Sequence, residues 1–277
     1  MQKRNNKIKN VGVSPTLMKE QLLKRKCELE RTLETISRFK QIQPEGKLRV
    51  QNAKGKPQYY RILDSTDTIG KYIRKENQDI AKALAQKSYN QKIELSIIHE
   101  INLIEQYLTI LENSSETIYD NLINARKILV SPYLPSDEEY KRIWQAQSYE
   151  SDPYYPENLV YETKRGEKVR SKSEMLIADT YYDLEIPYRY EAKLDIGGGS
   201  YKYPDFTALN VRTREVIYHE HFGLFDDEQY RIANLKKIEQ YQKAGIILGK
   251  NLIVTFETEK SPLNIQMIRE MLREVME

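Results

Sequence analysis

Apolar and polar residues repeat with two different periods along the first 75 residues of the chain. Residues 16–41 place apolar side chains at helical spacing, which predicts one amphipathic helix that ends at the following Pro-Glu-Gly. Residues 47–63 alternate apolar and polar positions on either side of Gly55 and Pro57, which predicts a β-hairpin. The stretch TIGKYI, residues 68–73, is expected to add a third short strand.

A second helical pattern runs from Asn77 to Glu112. Its apolar residues between Ile97 and Leu111 are spaced by four, three, four and three, which is typical of a helix that pairs with another helix. We expect the partner to be the first helix, packed antiparallel across the hairpin. A shorter helix is predicted over residues 114–129.

The composition changes over residues 131–165, which are rich in Pro, Tyr, Ser and acidic residues. The four prolines exclude long regular elements, apart from one short helix over residues 137–147 that carries Trp144. Because aromatic rings are usually buried, the many tyrosines predict an ordered connector and not a disordered linker.

The last part of the chain, from Val169 onward, has the pattern of an α/β domain. The predicted elements follow the order α-β-β-β-α-β-α: a helix over 171–184, strands over 187–196, 202–211 and 216–223, a helix over 226–245, a buried strand over 251–257 and a terminal helix over 261–277. The glycines at 197–199 are expected to turn the first strand into the second, and Pro262 is expected in the first turn of the terminal helix.

The composition is that of a soluble globular protein, with 39% hydrophobic and 31% charged residues. No apolar run is long enough to span a membrane and no secretory signal is recognisable, so we expect a cytoplasmic protein. The single cysteine, Cys27, excludes an internal disulfide and a cysteine-based zinc site, and its position in the first helix predicts a small core residue.

The net charge of +3 conceals an uneven distribution along the chain. Residues 1–90 carry 21 Lys and Arg against 9 Asp and Glu, whereas residues 91–277 carry 23 against 32. The basic N-terminal part is therefore the part suited to bind a polyanion such as nucleic acid. An excess of lysine that serves solubility alone is the alternative.

Two acidic residues in neighbouring predicted strands form the candidate site. A hairpin that turns between Arg212 and Thr213 pairs residues whose numbers sum to about 425, and this register places Asp205 opposite Glu220. Facing carboxylates repel each other unless a cation lies between them. Because carboxylate oxygens are the usual ligands of Mg2+, a metal site is the best explanation of the pair.

Three short motifs then resemble the PD-(D/E)xK nuclease superfamily. They are RSKSE on the first helix of the domain, YPDF on the second strand and EHFG on the third, within about residues 165–260. The resemblance implies a restriction-endonuclease-like α-β-β-β-α-β core that hydrolyses phosphodiester bonds in DNA with Mg2+ or Mn2+. It leaves the N-terminal half unexplained.

The resemblance also implies a role for individual residues. Glu174 matches the helical acid that holds the metal directly or through water, and Asp205 and Glu220 match the central metal ligand and the second acid. The backbone carbonyl of His221 would be a further ligand. The side chains of His219 and His221 point to the opposite face of the strand, which favours structural roles for both rings.

The superfamily's lysine should stand two residues after the second acid, but that position holds Phe222. The resemblance implies that this lysine can move to a neighbouring helix. The residues that share a polar and aromatic stripe on the helix over 226–245 are Tyr230, Asn234, Lys237 and Tyr241. We therefore predict that Lys237 replaces the absent lysine, whereas Lys236 lies off the stripe and is expected in solvent.

The sequence thus predicts a metal-dependent deoxyribonuclease with three parts. Residues 1–130 form a basic helical and hairpin domain that grips DNA, residues 131–165 form the connector, and residues 166–277 form the nuclease-like domain. Arg170 and Lys172, just ahead of the helical acid, are expected to contact the DNA backbone. Lys237 would orient the attacking water or stabilise the charge that develops on the phosphate.

Two alternatives stay open at this point. Because Phe222 stands where a lysine is expected, the domain could keep the fold and bind DNA or assemble with other proteins without hydrolysis. The helix spacing between Ile97 and Leu111 also suits a homodimer or a docking site for a partner protein. Sequence specificity, endo or exo action, and a process such as defence against foreign DNA, mobile-element processing or repair are not decided by the fold.

Overall fold

The structure, a computed structural model, describes residues 13–40, 42–53, 55–64 and 66–276. Contacts between residues divide the chain into two compact units, which are residues 19–114, and residues 13–18 together with 115–276. The predicted boundary lay at residue 130, whereas residues 115–130 belong by their contacts to the second unit. Among the helices that the structure describes, none is long and apolar enough to cross a membrane.

The first unit contains two long helices and a small antiparallel sheet. The elements are α1 (Pro15–Lys40), β1 (Lys47–Ala53), β2 (Lys56–Ile62), β3 (Lys71–Tyr72) and α2 (Gln78–Glu112), and α1 begins four residues before this unit. The sheet order is β1-β2-β3. These bounds confirm the predicted helix, hairpin, third short strand and second helix.

Helices α1 and α2 pack antiparallel through the apolar seam that the sequence predicts. Its buried residues are Leu29, Ile36, Ile97 and Ile104. The ion pairs that flank the seam are Arg25 with Glu100, Lys26 with Glu105 and Lys40 with Glu94. The prediction that Cys27 is a core residue is wrong, because the residue lies about 200° around the helix from Leu29 and is exposed.

The second unit begins with irregular structure and short helices. The predicted helix over residues 114–129 is replaced by two four-residue helices, α3 (Thr117–Asp120) and α4 (Asn124–Lys127). Ile123 adopts an extended conformation between them, after an Asp-Asn pair of the kind that competes with helical hydrogen bonding. Helix α5 (Asp137–Ala146), capped by Ser136, confirms the short helix predicted in the connector, and its Trp144 is buried.

The remaining elements form the α/β part of this unit. They are β4 (Tyr161–Glu162), β5 (Lys168–Val169), α6 (Lys172–Asp183), β6 (Tyr188–Tyr190), β7 (Leu194–Gly197), β8 (Ser200–Lys202), β9 (Phe206–Asn210), β10 (Glu215–Phe222), α7 (Glu228–Lys243), β11 (Leu252–Phe256) and α8 (Ile265–Met276). A four-stranded sheet has the order β11-β10-β9-β6. Strand β11 runs parallel to β10, and the other neighbours are antiparallel.

Two of the predicted strands are interrupted. The strand predicted over 187–196 divides into β6 and β7 because Glu191 has a positive φ of 46°. The strand predicted over 202–211 divides into β8 and β9 around Pro204, which has no N–H to donate to a sheet. The terminal helix also begins later than predicted, because Asn264 accepts the N–H of Met267 and leaves Pro262 outside the helix.

The two faces of the four-stranded sheet are covered by different helices. On one face, Ile177 of α6 and Ile268 of α8 join Phe206 and Ile217 in a buried apolar cluster. On the other face, Tyr241 of α7 is fully buried in a separate cluster. Alternate residues of β10 therefore face α6 or α7, and this alternation decides which side chains meet at the site.

Candidate active site

The pairing of β9 with β10 has the predicted register. Phe206 pairs with His219 and Asn210 with Glu215, so the residue numbers of each pair sum to 425. Asp205 directly precedes β9, and one more step in this register places it beside Glu220. The main-chain N–H of His221 donates to Asp205 Oδ2 at 2.6 Å, which fixes the aspartate against β10.

Glu220 is a buried carboxylate with a donor on each oxygen. Lys237 Nζ donates to its Oε2 at 2.7 Å, and the hydroxyl of Tyr241 donates to its Oε1 at 2.5 Å. Both donors belong to the polar stripe of α7, four residues apart on the same face. The structure therefore brings Lys237 to the second acid of the pair, whereas Lys236 is exposed.

The charges of the site influence one another. Enclosure by protein and the charge of Glu220 raise the pKa of Asp205 well above its usual value, Lys237 opposes this rise, and Glu174 adds to it. Burial alone would lower the pKa of Lys237, but the charges of Glu220 and Asp205 more than offset that effect and the pKa is raised. The lysine is thus held in its charged form beside an excess of carboxylates.

Glu174 lies in the first turn of α6, where Ser171 caps the helix by accepting the main-chain N–H of Glu174 at 3.1 Å. Its Oε2 accepts the hydroxyl of Tyr190 at 2.6 Å and the main-chain N–H of Arg170 at 3.0 Å. Burial, followed by the charge of Glu174, raises the pKa of Tyr190 and keeps its proton available for this hydrogen bond.

The two residues that were expected to contact DNA have different environments. The Arg170 guanidinium donates to Glu191 at 2.6 Å and to the carbonyls of Tyr154 and Tyr155 at 2.6 and 2.8 Å. Its side chain is only 18% exposed, so it ties the connector to the domain and is not presented to a ligand. Lys172, the first residue of α6, is exposed.

The two histidines beside Glu220 belong to a buried polar chain on the opposite face of β10. His219 Nδ1 lies 3.0 Å from the hydroxyl of Tyr181, and Thr255 Oγ1 lies 2.9 Å from His219 Nε2 and 3.0 Å from His221 Nδ1. Burial lowers the pKa of His219 to about 3 and also lowers that of His221, which keeps both rings neutral. Because the ring lies on the face of β10 opposite to Glu220, ligation by His221 beside Glu220 would involve its main-chain carbonyl.

Several contacts of the site connect residues that are distant in sequence. Glu257, directly after β11, accepts the hydroxyl of Ser173 at 2.7 Å and the N–H of Leu263 at 3.1 Å. Tyr190, which donates to Glu174, lies with Tyr188 on the face of β6 that packs under α6. The alternation of these two tyrosines along the strand is the sequence signal that could have indicated the role of Tyr190.

Phe222 is buried and packs against other aromatic rings, so position 222 is a core position.

Comparisons with known proteins add little to this description. No family model matches the chain, and no solved structure matches it. Over 92 residues it is 39% identical to an uncharacterized protein of Methanocaldococcus jannaschii. The aligned stretch is 32% of this chain and only 7% of that protein, so this chain spans a small part of the relative's length.

The donor chemistry decides whether a metal ion suits the site. Among residues 13–276, apart from positions 41, 54 and 65, no group of three His, Cys, Asp or Glu side chains is arranged as a ready metal cluster. The carboxylates of Asp205, Glu220 and Glu174 are nevertheless close enough for the last two to raise the pKa of the first. A divalent cation would relieve this repulsion, and oxygen donors of this kind suit Mg2+.

Proposed function

We propose that residues 166–277 form a nuclease domain of the PD-(D/E)xK type that hydrolyses phosphodiester bonds in DNA. The observation that carries this proposal is the ion pair between Lys237 Nζ and Glu220 Oε2, at 2.7 Å. Lys237 supplies, from a separate helix, the amine that is absent at position 222. An ordinary surface lysine would be solvated, whereas the Lys237 side chain is 26% exposed and its partner is 1% exposed.

The order of elements supports the same proposal. The series α6, β6, β9, β10, α7 and β11 follows the α-β-β-β-α-β order that the resemblance implies, with the hairpin of β7 and β8 inserted after the first strand. The acids lie on or next to the expected elements, since Glu174 is on the helix, Asp205 directly before β9 and Glu220 within β10. We infer a restriction-endonuclease-like core on these grounds.

In the proposed reaction, Asp205 and Glu174 would hold Mg2+ or Mn2+, with Glu220 and the main-chain carbonyl of His221 completing the protein ligands. The ion would supply positive charge at the scissile phosphate and make a nearby water more acidic. The Lys237 ammonium would orient that water or stabilise negative charge that develops on the phosphate. Its hydrogen bond to the buried carboxylate of Glu220 keeps the ammonium in one place for this role.

A second candidate is a protein of the same fold that binds DNA or assembles with other proteins without hydrolysis. The observation that favours it is the saturation of Glu220, because Lys237 and Tyr241 occupy both of its oxygens. A carboxylate engaged in this way serves as a buried ion-pair partner and is less available to a metal. Phe222, in the core, fits this alternative equally well.

Cleavage assays distinguish the two candidates. Wild type, Asp205→Asn and Glu220→Gln are incubated with supercoiled and linear DNA in the presence of Mg2+ or Mn2+. The nuclease proposal predicts cleavage by wild type and a loss of about 100-fold or more in both variants. Glu215→Gln, at the exposed far end of the same strand, should cleave like wild type. Cleavage that persists in Asp205→Asn would reject the site, and a wild type that binds but never cleaves DNA or RNA would favour the second candidate.

A further inference from the structure

The three-stranded sheet of the first unit has one covered face and one open face. On the covered face, Leu48, Tyr59 and Ile73 pack with Ala81 and Leu84 of α2. Strand alternation and the register of β1 with β2 put the intervening residues on the opposite face. We call this the tyrosine face; its residues are Lys47, Arg49, Gln51, Ala53, Lys56, Gln58, Tyr60, Ile62 and Tyr72.

The centre of the tyrosine face is a preformed cluster of two rings and a guanidinium. Tyr60 and Tyr72 are directly opposite each other on β2 and β3, with ring centroids 5.5 Å apart and planes at 66°. The Arg49 guanidinium lies 5.5 Å from the centroid of the Tyr60 ring and donates to the carbonyl of Ile69 at 2.7 Å. Tyr72 is 50% exposed, so one large ring is held in place and open to a ligand.

The charge on the tyrosine face has a single sign. This face carries three basic residues, Lys47, Arg49 and Lys56, and no acidic residue. The nearest acids along the chain are Glu45, which lies two residues before β1, and Asp64 and Asp67. The Oδ1 atoms of the two aspartates accept hydrogen bonds from their own loop, as from Thr66 and Gly70. The face therefore offers positive charge beside an exposed aromatic ring, which complements a polyanion that carries flat apolar groups.

We propose that the tyrosine face binds a single strand of nucleic acid, with a base stacked on Tyr72 and phosphates beside Lys47 and Lys56. Bases in a duplex are stacked on one another and offer no ring face, whereas those of a single strand can stack on an aromatic side chain held on a sheet. This binding site is separate from the proposed nuclease site. The proposal does not depend on hydrolysis.

The test measures binding of the full chain to short fluorescent oligonucleotides with EDTA present, so that cleavage does not interfere. The probes are oligothymidylate, oligouridylate and a duplex of the same length. Tyr72→Ala should weaken binding of the single strands by about fivefold or more, because one stacked base is lost. Tyr72→Phe keeps the ring and should stay within about twofold of wild type. Tyr89→Ala, which removes a tyrosine of similar exposure from α2, is the matched control.

The charged residues give an independent readout of the same site. Replacing both Lys47 and Lys56 by Gln should reduce the slope of log affinity against log salt by about one to two. Lys82→Gln with Lys92→Gln, two exposed positions on α2, should leave affinity and slope unchanged.

Binding of either the DNA or the RNA strand with this dependence on Tyr72 supports the proposal. The probe that binds with the higher affinity shows whether the preferred strand is DNA or RNA. Equal affinity of Tyr72→Ala and Tyr89→Ala, with both variants folded by circular dichroism, would overturn it. Duplex binding as tight as that of the single strands would overturn it as well. Neither result affects the cleavage assay on Asp205, so the two proposals fail independently.

Discussion

A buried carboxylate such as Glu220 must be compensated by its neighbours, because removing a charge from water costs several kcal/mol. Lys237 supplies an opposite charge and Tyr241 a neutral donor, so both oxygens are satisfied. The two compensating residues come from one face of α7. The same arrangement stabilises the fold and holds an ammonium close enough to Asp205 to oppose the rise of its pKa.

Replacing Lys237 by Met is expected to lower the free energy of unfolding by about 3–5 kcal/mol. The carboxylate of Glu220 would keep only the hydroxyl of Tyr241, and leaving one charge of a buried ion pair uncompensated costs about this much. Urea denaturation measures the loss. Lys236→Met, at an exposed position of the same helix, should change stability by less than about 0.5 kcal/mol, and equal losses in the two variants would show that the ion pair contributes nothing.

His219 is expected to make stability depend on pH. Its pKa is lowered to about 3 in the folded protein by burial, whereas an unfolded histidine has a pKa of about 6.5. The unfolded state therefore binds more protons below pH about 6.5, and stability decreases as the pH falls from there towards the folded pKa.

Melting temperatures between neutral and mildly acidic pH test this dependence on pH. The neutral variant His219→Gln should show a smaller fall than wild type, even if it is less stable throughout. His99→Gln, at an exposed position on α2, should show the same dependence of melting temperature on pH as wild type. A slope for His219→Gln as steep as that of wild type would contradict the assignment of this ring as buried and neutral.

At the scale of elements, the site depends on where α7 begins. Asp227 caps this helix by accepting the main-chain N–H of Tyr230 at 2.8 Å. Asp227→Ala should cost about 1 kcal/mol of stability, as other cap removals do. The adjacent Glu228→Ala leaves the cap in place and should cost less. Thermal unfolding of the pair measures the difference, and a Glu228→Ala loss equal to that of Asp227→Ala would argue against a specific cap.

The elements also show how far the sequence can predict this fold. The register of β9 with β10 was predictable because strand alternation and the turn signal independently gave the same alignment, and the stripe on α7 followed from helical periodicity. The division of the first strand at Glu191 was not predictable. That residue adopts its positive φ where its carboxylate meets Arg170, a tertiary contact that leaves no local signal.

The candidate site, too, could be predicted from the sequence only in part. The pairing of Lys237 with Glu220 could be predicted, since both residues belong to regular elements with a known facing side. The internal role of Arg170 could not, because it depends on the carbonyls of Tyr154 and Tyr155 in the irregular connector. Contacts such as that of Ser173 with Glu257 join residues 84 positions apart and require the folded chain.

At the scale of the whole molecule, the chain combines two units with different chemistry. The apolar seam of α2, whose spacing also suited a homodimer or a partner protein, is filled by α1 of the same chain. The spacing therefore needs no second copy to explain it. The basic N-terminal part, which includes the tyrosine face, is proposed to bind nucleic acid. The acidic second unit contains the proposed nuclease site.

In the proposed site, Lys237 performs the task of the lysine that is absent at position 222. The most direct test compares the rates at which wild type, Lys237→Ala and Lys236→Ala cleave DNA at saturating protein with Mg2+ or Mn2+. The proposed site predicts a loss of about 100-fold or more for Lys237→Ala and a rate close to wild type for Lys236→Ala. Equal rates for the two variants, or no metal-dependent cleavage by wild type, would contradict the claim.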